Sequence, residues 1–208
     1  MGQHILVLGI GNVLWADEGF GVRAVEALNA RYRFGPGVRL LDGGTQGLNL
    51  LEPVKDAARV LVLDAIDFGL PPGTLRVLRD REVRAWGSTK ASMHQVGFQE
   101  VLALAELAGR YPGALALVGV QPAVLSDFGG SLSPEVRARL DEAVGHACAI
   151  LAEWGAPGAK RAAGEDAEPL GPGALDIGAY ESGRPPEESA CRIGDARFLN
   201  PQLAGSGD

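Results

Sequence analysis

Apolar residues recur along this chain in two rhythms. Residues 4–9 (HILVLG) form a nearly unbroken apolar run, as strands covered on both faces do. Residues 19–32 (GFGVRAVEALNARY) then place apolar side chains at helical spacing. A second short strand is predicted over 38–42 (VRLLD), ending in Gly43-Gly44, with a short helix over 47–55. Residues 59–64 (RVLVLD) make a third strand, and the turn at Pro71-Pro72-Gly73 leads into 74–79 (TLRVLR), an expected edge strand. An amphipathic helix over 95–108, a fifth strand over 114–120 (ALALVGV) and a long helix over 134–154 complete the series. Ser133 and Pro134 supply an N-cap and a first helical residue for that last helix. Strands alternating with helices imply right-handed crossovers. The expected fold is a three-layer α/β/α domain, phosphorylase/hydrolase-like, with a mainly parallel twisted sheet of about five strands.

That domain is expected over residues 1–154. Beyond Trp154-Gly155 the rhythm stops: residues 155–208 hold ten of the 30 Gly and six of the 13 Pro, with nine acidic and five basic residues. Such a stretch buries too little apolar area to offset its chain entropy, and a largely disordered tail is expected.

The net charge of -7 leaves no basic surplus to neutralise phosphates, which argues against nucleic acid as a partner. No apolar stretch is long enough to span a membrane, and the first residues carry no basic region of a secretory signal. Cys148 and Cys191 lie far apart without metal-binding spacing. Cys148 reads as a small core residue, and Cys191 as one without a structural partner. A cytoplasmic protein, acting as a monomer, is the expectation.

In a parallel sheet, sites form beyond the carboxyl ends of the strands. After the first strand stand Asn12, Asp17 and Glu18; after the second, Asp42-Gly43-Gly44-Thr45-Gln46; the third ends in Asp64, with Asp67 beyond. Asp and Asn favour such turns simply as helix caps. Several carboxylates on one rim, however, repel one another unless a cation sits among them. Ser92 and Gln95 have capping-box spacing, which places His94 in a helix's first turn. There the helix dipole favours the neutral, coordinating imidazole. His4 and His146 read as structural. Two carboxylates and one imidazole suit a borderline divalent ion and leave coordination positions open. A dinucleotide fingerprint would need Gly where Leu14 stands, and no GxSxG elbow is present.

Five ordered blocks carry a wider resemblance: GIGNVLWADEGFGVRAVEAL, LLDGGTQGLNLL, VLVLDAID, SMHQVGFQEVL and LVGVQP. Together, over about residues 4–154, they resemble the maturation endopeptidases of nickel–iron hydrogenases. The resemblance implies removal of a C-terminal peptide from the hydrogenase large-subunit precursor once nickel has been inserted. It also implies a metal site of Glu18, Asp64 and His94, with nickel supplied by the substrate. Asp42 and Asp17 are candidates for a general base or for supporting residues behind the metal ligands. Met93 stands where the family often has Pro. The stretch after Gly155 exceeds the family's usual length, and the resemblance gives it no role.

Two other readings use the same residues. Peptidyl-tRNA hydrolases also open with a strand and a Gly-x-Gly-Asn turn, but the acidic balance and Asp17-Glu18 oppose binding tRNA. A non-catalytic nickel-binding or chaperone module would carry the same ligands.

Overall fold

All six residues of the first strand, β1 (Ile5–Ile10), are buried, because helices cover both of its faces. In the computed structural model, which describes residues 4–86 and 93–184, helix α1 (Phe20–Arg31) follows β1. Its end runs into a two-residue strand, β2 (Tyr32–Arg33), and then β3 (Val38–Gly44), α2 (Leu51–Asp56) and β4 (Arg59–Ala65). Next come β5 (Leu75–Arg79), α3 (Arg81–Trp86), α4 (Met93–Leu107) and β6 (Ala114–Val120). The chain continues through α5 (Pro134–Arg137), α6 (Leu140–Glu153), the short β7 (Ala159–Lys160) and α7 (Ile177–Ser182).

The main sheet has the order β3-β1-β4-β6-β5. Four strands are parallel and β5 runs antiparallel on the edge beside β6. The five strands and the edge position of β5 follow the apolar pattern. Alternating side chains split the core in two. Val7, Leu61, Leu63 and Val118 pack with Phe20 and Leu28 of α1 and Ile150 of α6. Leu6, Leu8 and Val62 face the other way, onto Val54 of α2 and Phe98 and Val101 of α4. Each such side chain contributes on the order of 1.5–3 kcal/mol when fully withdrawn from water. Among the described residues no helix is long and apolar enough to cross a membrane.

Three details depart from the expected elements. The long helix predicted over 134–154 is two helices, α5 and α6, with Ala138 and Arg139 between them. Ser133 does occupy the N-cap position, but its hydroxyl makes no cap hydrogen bond and donates to the Asp17 carboxylate instead. Helix α3, short and rich in charge, had no periodic signature to announce it.

The larger departure is the stretch expected to be disordered. Residues 155–184 lie along the α1 face of the domain. Strand β7 pairs antiparallel with β2, Asn29 donates to the Glu168 carbonyl at 2.8 Å, and Leu170 packs against the α1-side core. The Asp176 side chain caps α7 through the Gly178 and Ala179 N–H groups. The segment builds no core of its own. It is held because side chains of the first domain satisfy its backbone, a kind of contact that composition and periodicity do not register. Residues 185–208, Cys191 among them, fall outside the described residues, as do Ser92 and the predicted capping box.

Helix α1 is seated on the sheet through glycine. A Cβ on Gly21 would lie 2.1 Å from the Leu63 carbonyl oxygen and 2.3 Å from that of Ile10. Both obstacles are backbone, so a side chain here must lift the start of α1 away from β1 and β4. Gly21→Ala is therefore expected to destabilise the chain by about 1–3 kcal/mol, the usual cost of overpacking, read as a lowered thermal midpoint.

Candidate functional site

The carboxyl ends of β3, β1, β4 and β6 form one rim, and the first loop folds back across it. Gly11, directly after β1, has φ +135°, and a Cβ there would sit 1.8 Å from the Glu18 carbonyl oxygen. Only glycine lets Glu18 cross so closely over the end of β1. The crossing is fixed by a compact turn. The Asn12 side chain accepts from Leu14 N–H at 3.0 Å, and the Asn12 and Trp15 carbonyls accept from Trp15 and Glu18 N–H. Glu18 itself is half-buried, in the single helical turn that precedes α1. One turn further on, Gly21 sits against the Leu63 carbonyl, so the Glu18 turn lies beside the end of β4.

Asp64 is near that end, 2% exposed, paired with Gly119 of β6. Strand register decides which way it faces. Gly9 pairs with Asp42 on one side and with Leu63 on the other, and neighbours across a sheet share a face. Asp42 therefore faces the α1 side with Leu63, and Asp64 faces the opposite side with Val60 and Val62, which pack toward α2 and α4. The start of α4 is on that second side. Gly97 packs on Gly47, the turn just after β3, with a built Cβ 3.4 Å from the Gly47 Cα. His94 lies one turn earlier, within α4, so its backbone is at the rim and on the Asp64 side; its side chain is outside the described residues. Among the described residues no three His, Cys, Asp or Glu side chains converge as a metal-binding group; the His94 side chain, the third of the expected set, is not among them.

Asp17 and Asp42, the candidates for a base or a supporting residue, sit in different surroundings. Asp17 is fully buried, and its carboxylate is surrounded by donors. Oδ2 accepts from the Ala123 and Val124 N–H groups, both at 2.8 Å, and from the Ser133 hydroxyl at 2.9 Å. Oδ1 accepts from the Ser133 N–H at 2.7 Å. With four donors and no contact with solvent, this carboxylate ties the β1–α1 turn to the loop after β6. Asp42 is half-buried, but the sheet separates it from Asp64. Its Oδ1 accepts from Gly44 N–H at 2.9 Å, and Gly171 of the C-terminal segment lies over its Oδ2. Burial pushes the Asp42 carboxyl above its ordinary value, opposed by the Gly44 N–H and the Arg23 guanidinium. Burial raises Glu26 likewise, against the Arg23 hydrogen bond and charge.

Two residues of the rim were given no role from the sequence. Gln121, 7% exposed, accepts through Oε1 from Phe68 and Leu70 N–H at 2.7 and 3.1 Å and donates through Nε2 to Asp67 at 3.1 Å. It fixes the loop that follows Asp64. Its signal was a polar residue ending a buried strand. Arg23 is buried on α1 at 4% exposure, an internal charge in an otherwise apolar helical pattern.

The fold matches that of known proteases. The family described as hydrogenase maturation protease, HycI, matches residues 22–150, and the chain belongs to it. It is thus a peptidase of hydrogenase maturation. Hydrogenase expression/formation protein HupM of Azotobacter chroococcum mcd 1 is 58% identical over 197 residues, 94% of this chain and 93% of that protein. Hydrogenase 2 maturation protease of Escherichia coli (strain K12) is 42% identical over 165 residues, 79% of this chain and all of its own length. The solved structure of hydrogenase maturating endopeptidase HybD from E. coli aligns with a TM-score of 0.73 at 41% identity, covering 76% of this chain and 98% of that one. A match to 94% of the chain takes in most of the stretch after Gly155. That relative shares most of the C-terminal segment, whereas the E. coli protease matches only 79% of this chain with its whole length, so the segment is an excess over some relatives and not over others.

Two outcomes are expected from this geometry. Asp17→Ala leaves several buried donors without an acceptor and should cost at least about 3 kcal/mol of stability, measured by denaturant unfolding. For Asp42 and Glu26 the folded-state carboxyls are raised, so the folded chain holds protons that the unfolded chain releases. Their contribution therefore favours folding as pH falls toward the ordinary carboxylate value of about 4 and is lost as pH rises above the raised folded values. Asp42→Asn should flatten that slope in unfolding curves collected between mildly acidic and neutral pH.

Proposed function

We propose that this protease removes the C-terminal peptide of the hydrogenase large-subunit precursor after nickel insertion, and that it reads the substrate-borne nickel through Glu18, Asp64 and His94. The observation that carries this reading is the direction of Asp64. It is a buried carboxylate on the same side of the sheet as the start of α4, where His94 lies, with the Glu18 turn crossing the rim beside it. Two carboxylates and an imidazole, with positions left open, fit an ion already held by another protein's ligands better than a closed structural site. Without the ion the carboxylates repel one another, so unloaded precursor is discriminated against.

For the bond-breaking step, the positions of Asp17 and Asp42 support the metal side over an aspartic-type base. Asp17 is saturated with hydrogen bonds, and Asp42 faces away from Asp64. The substrate's own nickel can polarise the scissile carbonyl or lower the pKa of an attacking water. Asp17 then acts by holding Glu18's turn in place.

The test is to incubate the purified chain with nickel-loaded and nickel-free precursor and follow precursor mass. Only the loaded form should lose its tail, and Glu18→Ala, Asp64→Asn and His94→Ala should each slow the loss at least about 100-fold. Cleavage of both forms alike would overturn the nickel reading. Binding of loaded precursor with no cleavage would point instead to a carrier.

A further inference from the structure

The loop between β6 and α5 is long and irregular, yet it is held from two sides. On one side is the turn that carries Glu18. The Asp17 carboxylate takes the Ala123 and Val124 N–H groups, Gly129 N–H donates to the Leu14 carbonyl at 2.7 Å, and Phe128 meets the Trp15 ring edge-on at 5.4 Å. On the other side is the C-terminal segment. The Arg184 guanidinium donates to Asp127 Oδ2 at 2.8 Å, and the Tyr180 hydroxyl donates to the Gly130 carbonyl at 3.4 Å. The Glu181 carboxylate accepts from the Ser131 hydroxyl at 2.5 Å and from Arg137.

The segment is itself rooted in the domain. Arg23 donates to the Leu175 carbonyl at 2.5 Å, pairs with Glu26 at 2.9 Å and lies 5.6 Å from the Tyr180 ring centroid. A buried guanidinium engaged this way gives the segment a fixed anchor on α1. From there it reaches the loop with three polar contacts. The loop in turn leaves Val124, Leu125 and Phe128 exposed at 37–42%, next to Leu14 at 38%. These apolar side chains flank the Glu18 turn.

We propose that residues 173–184 are a positioning element that holds the loop over residues 123–131, and through it the Glu18 turn, in the arrangement that the precursor meets. This rests on the reading of the precursor as substrate. Ordering an irregular loop costs roughly 1–2 kcal/mol per residue, and a loop ordered in advance spares that cost at binding. The element acts on substrate affinity rather than on the chemical step, because it is anchored on α1, which covers the face of the sheet opposite Asp64, and it bears on the loop over residues 123–131.

The test compares the full chain with Glu181→Ala, Glu181→Gln and Arg184→Ala, using precursor cleavage and amide hydrogen exchange. Glu181→Ala and Arg184→Ala should raise KM about fivefold or more with kcat within about twofold, and should speed exchange at residues 123–131 while the amides of β1, β4 and β6 stay protected. Glu181→Gln keeps an acceptor for Ser131 and Arg137 and should recover most of the lost affinity. If Glu181→Ala melts the whole chain, Arg184→Ala carries the same comparison from the other end of the loop. Unchanged exchange at 123–131, or a fall in kcat at constant KM, overturns the proposal. Wild-type chain that does not cleave the precursor overturns the substrate reading instead, and the exchange comparison still decides whether the loop is held.

Discussion

A charged side chain out of reach of water, the Asp17 carboxylate, joins the parts of the rim to one another. It faces donors from residues 123, 124 and 133 and is carried by the turn that leaves β1. Burying a carboxylate costs several kcal/mol unless hydrogen bonds replace its hydration; here four do. The consequence is that two loops distant in sequence share one set of hydrogen bonds, and the neighbour of Asp17, Glu18, inherits its position from them. The glycines of the same stretch add a steric half to this polar half. Gly11 lets the turn cross β1, and Gly21 lets α1 settle onto the carbonyls of Ile10 and Leu63. Specific directions of approach, rather than apolar mass, define the rim.

The sheet also sorts the acids. The chain sends carboxylates to the ends of three neighbouring strands, and a linear reading groups them. In three dimensions Asp42 lies beneath Gly171 and near Arg23, while Asp64 lies toward α4. The two environments serve different ends. Asp42 and Glu26, both raised by burial, belong to the seam between α1 and the C-terminal segment. Asp64 is left with the rim.

The strands were legible because each is a short apolar run bounded by turn residues, and the edge strand because Pro71 and Pro72 precede it. The placement of Glu18 just after β1, Asp64 near the end of β4 and His94 at the start of α4 was legible from the same pattern of runs and turns. What could not be read was the relative facing of Asp42 and Asp64. Alternation within a strand assigns two faces but not which is which between strands. That needs the register, supplied here by the pairing of Gly9 with both Asp42 and Leu63. The C-terminal segment escaped for a related reason. Its attachment depends on carbonyls of Glu168 and Leu175 meeting Asn29 and Arg23, and any sequence has carbonyls. The role of Asp17 was hidden likewise, as its partners are mostly main-chain N–H groups from another loop.

The course of the C-terminal segment has a consequence for selectivity. Having followed α1, the chain reaches the loop after β6 and leaves Arg184 against Asp127. A protease proposed to trim another protein thus keeps a stretch of its own chain, residues 173–184, against the loop that borders the Glu18 turn. Being close is then no credential. A site that cut whatever peptide lay near it would meet its own chain first, at an effective concentration no partner in dilute solution can match. The nickel proposed above as the mark of a loaded precursor would set that substrate apart from such a segment.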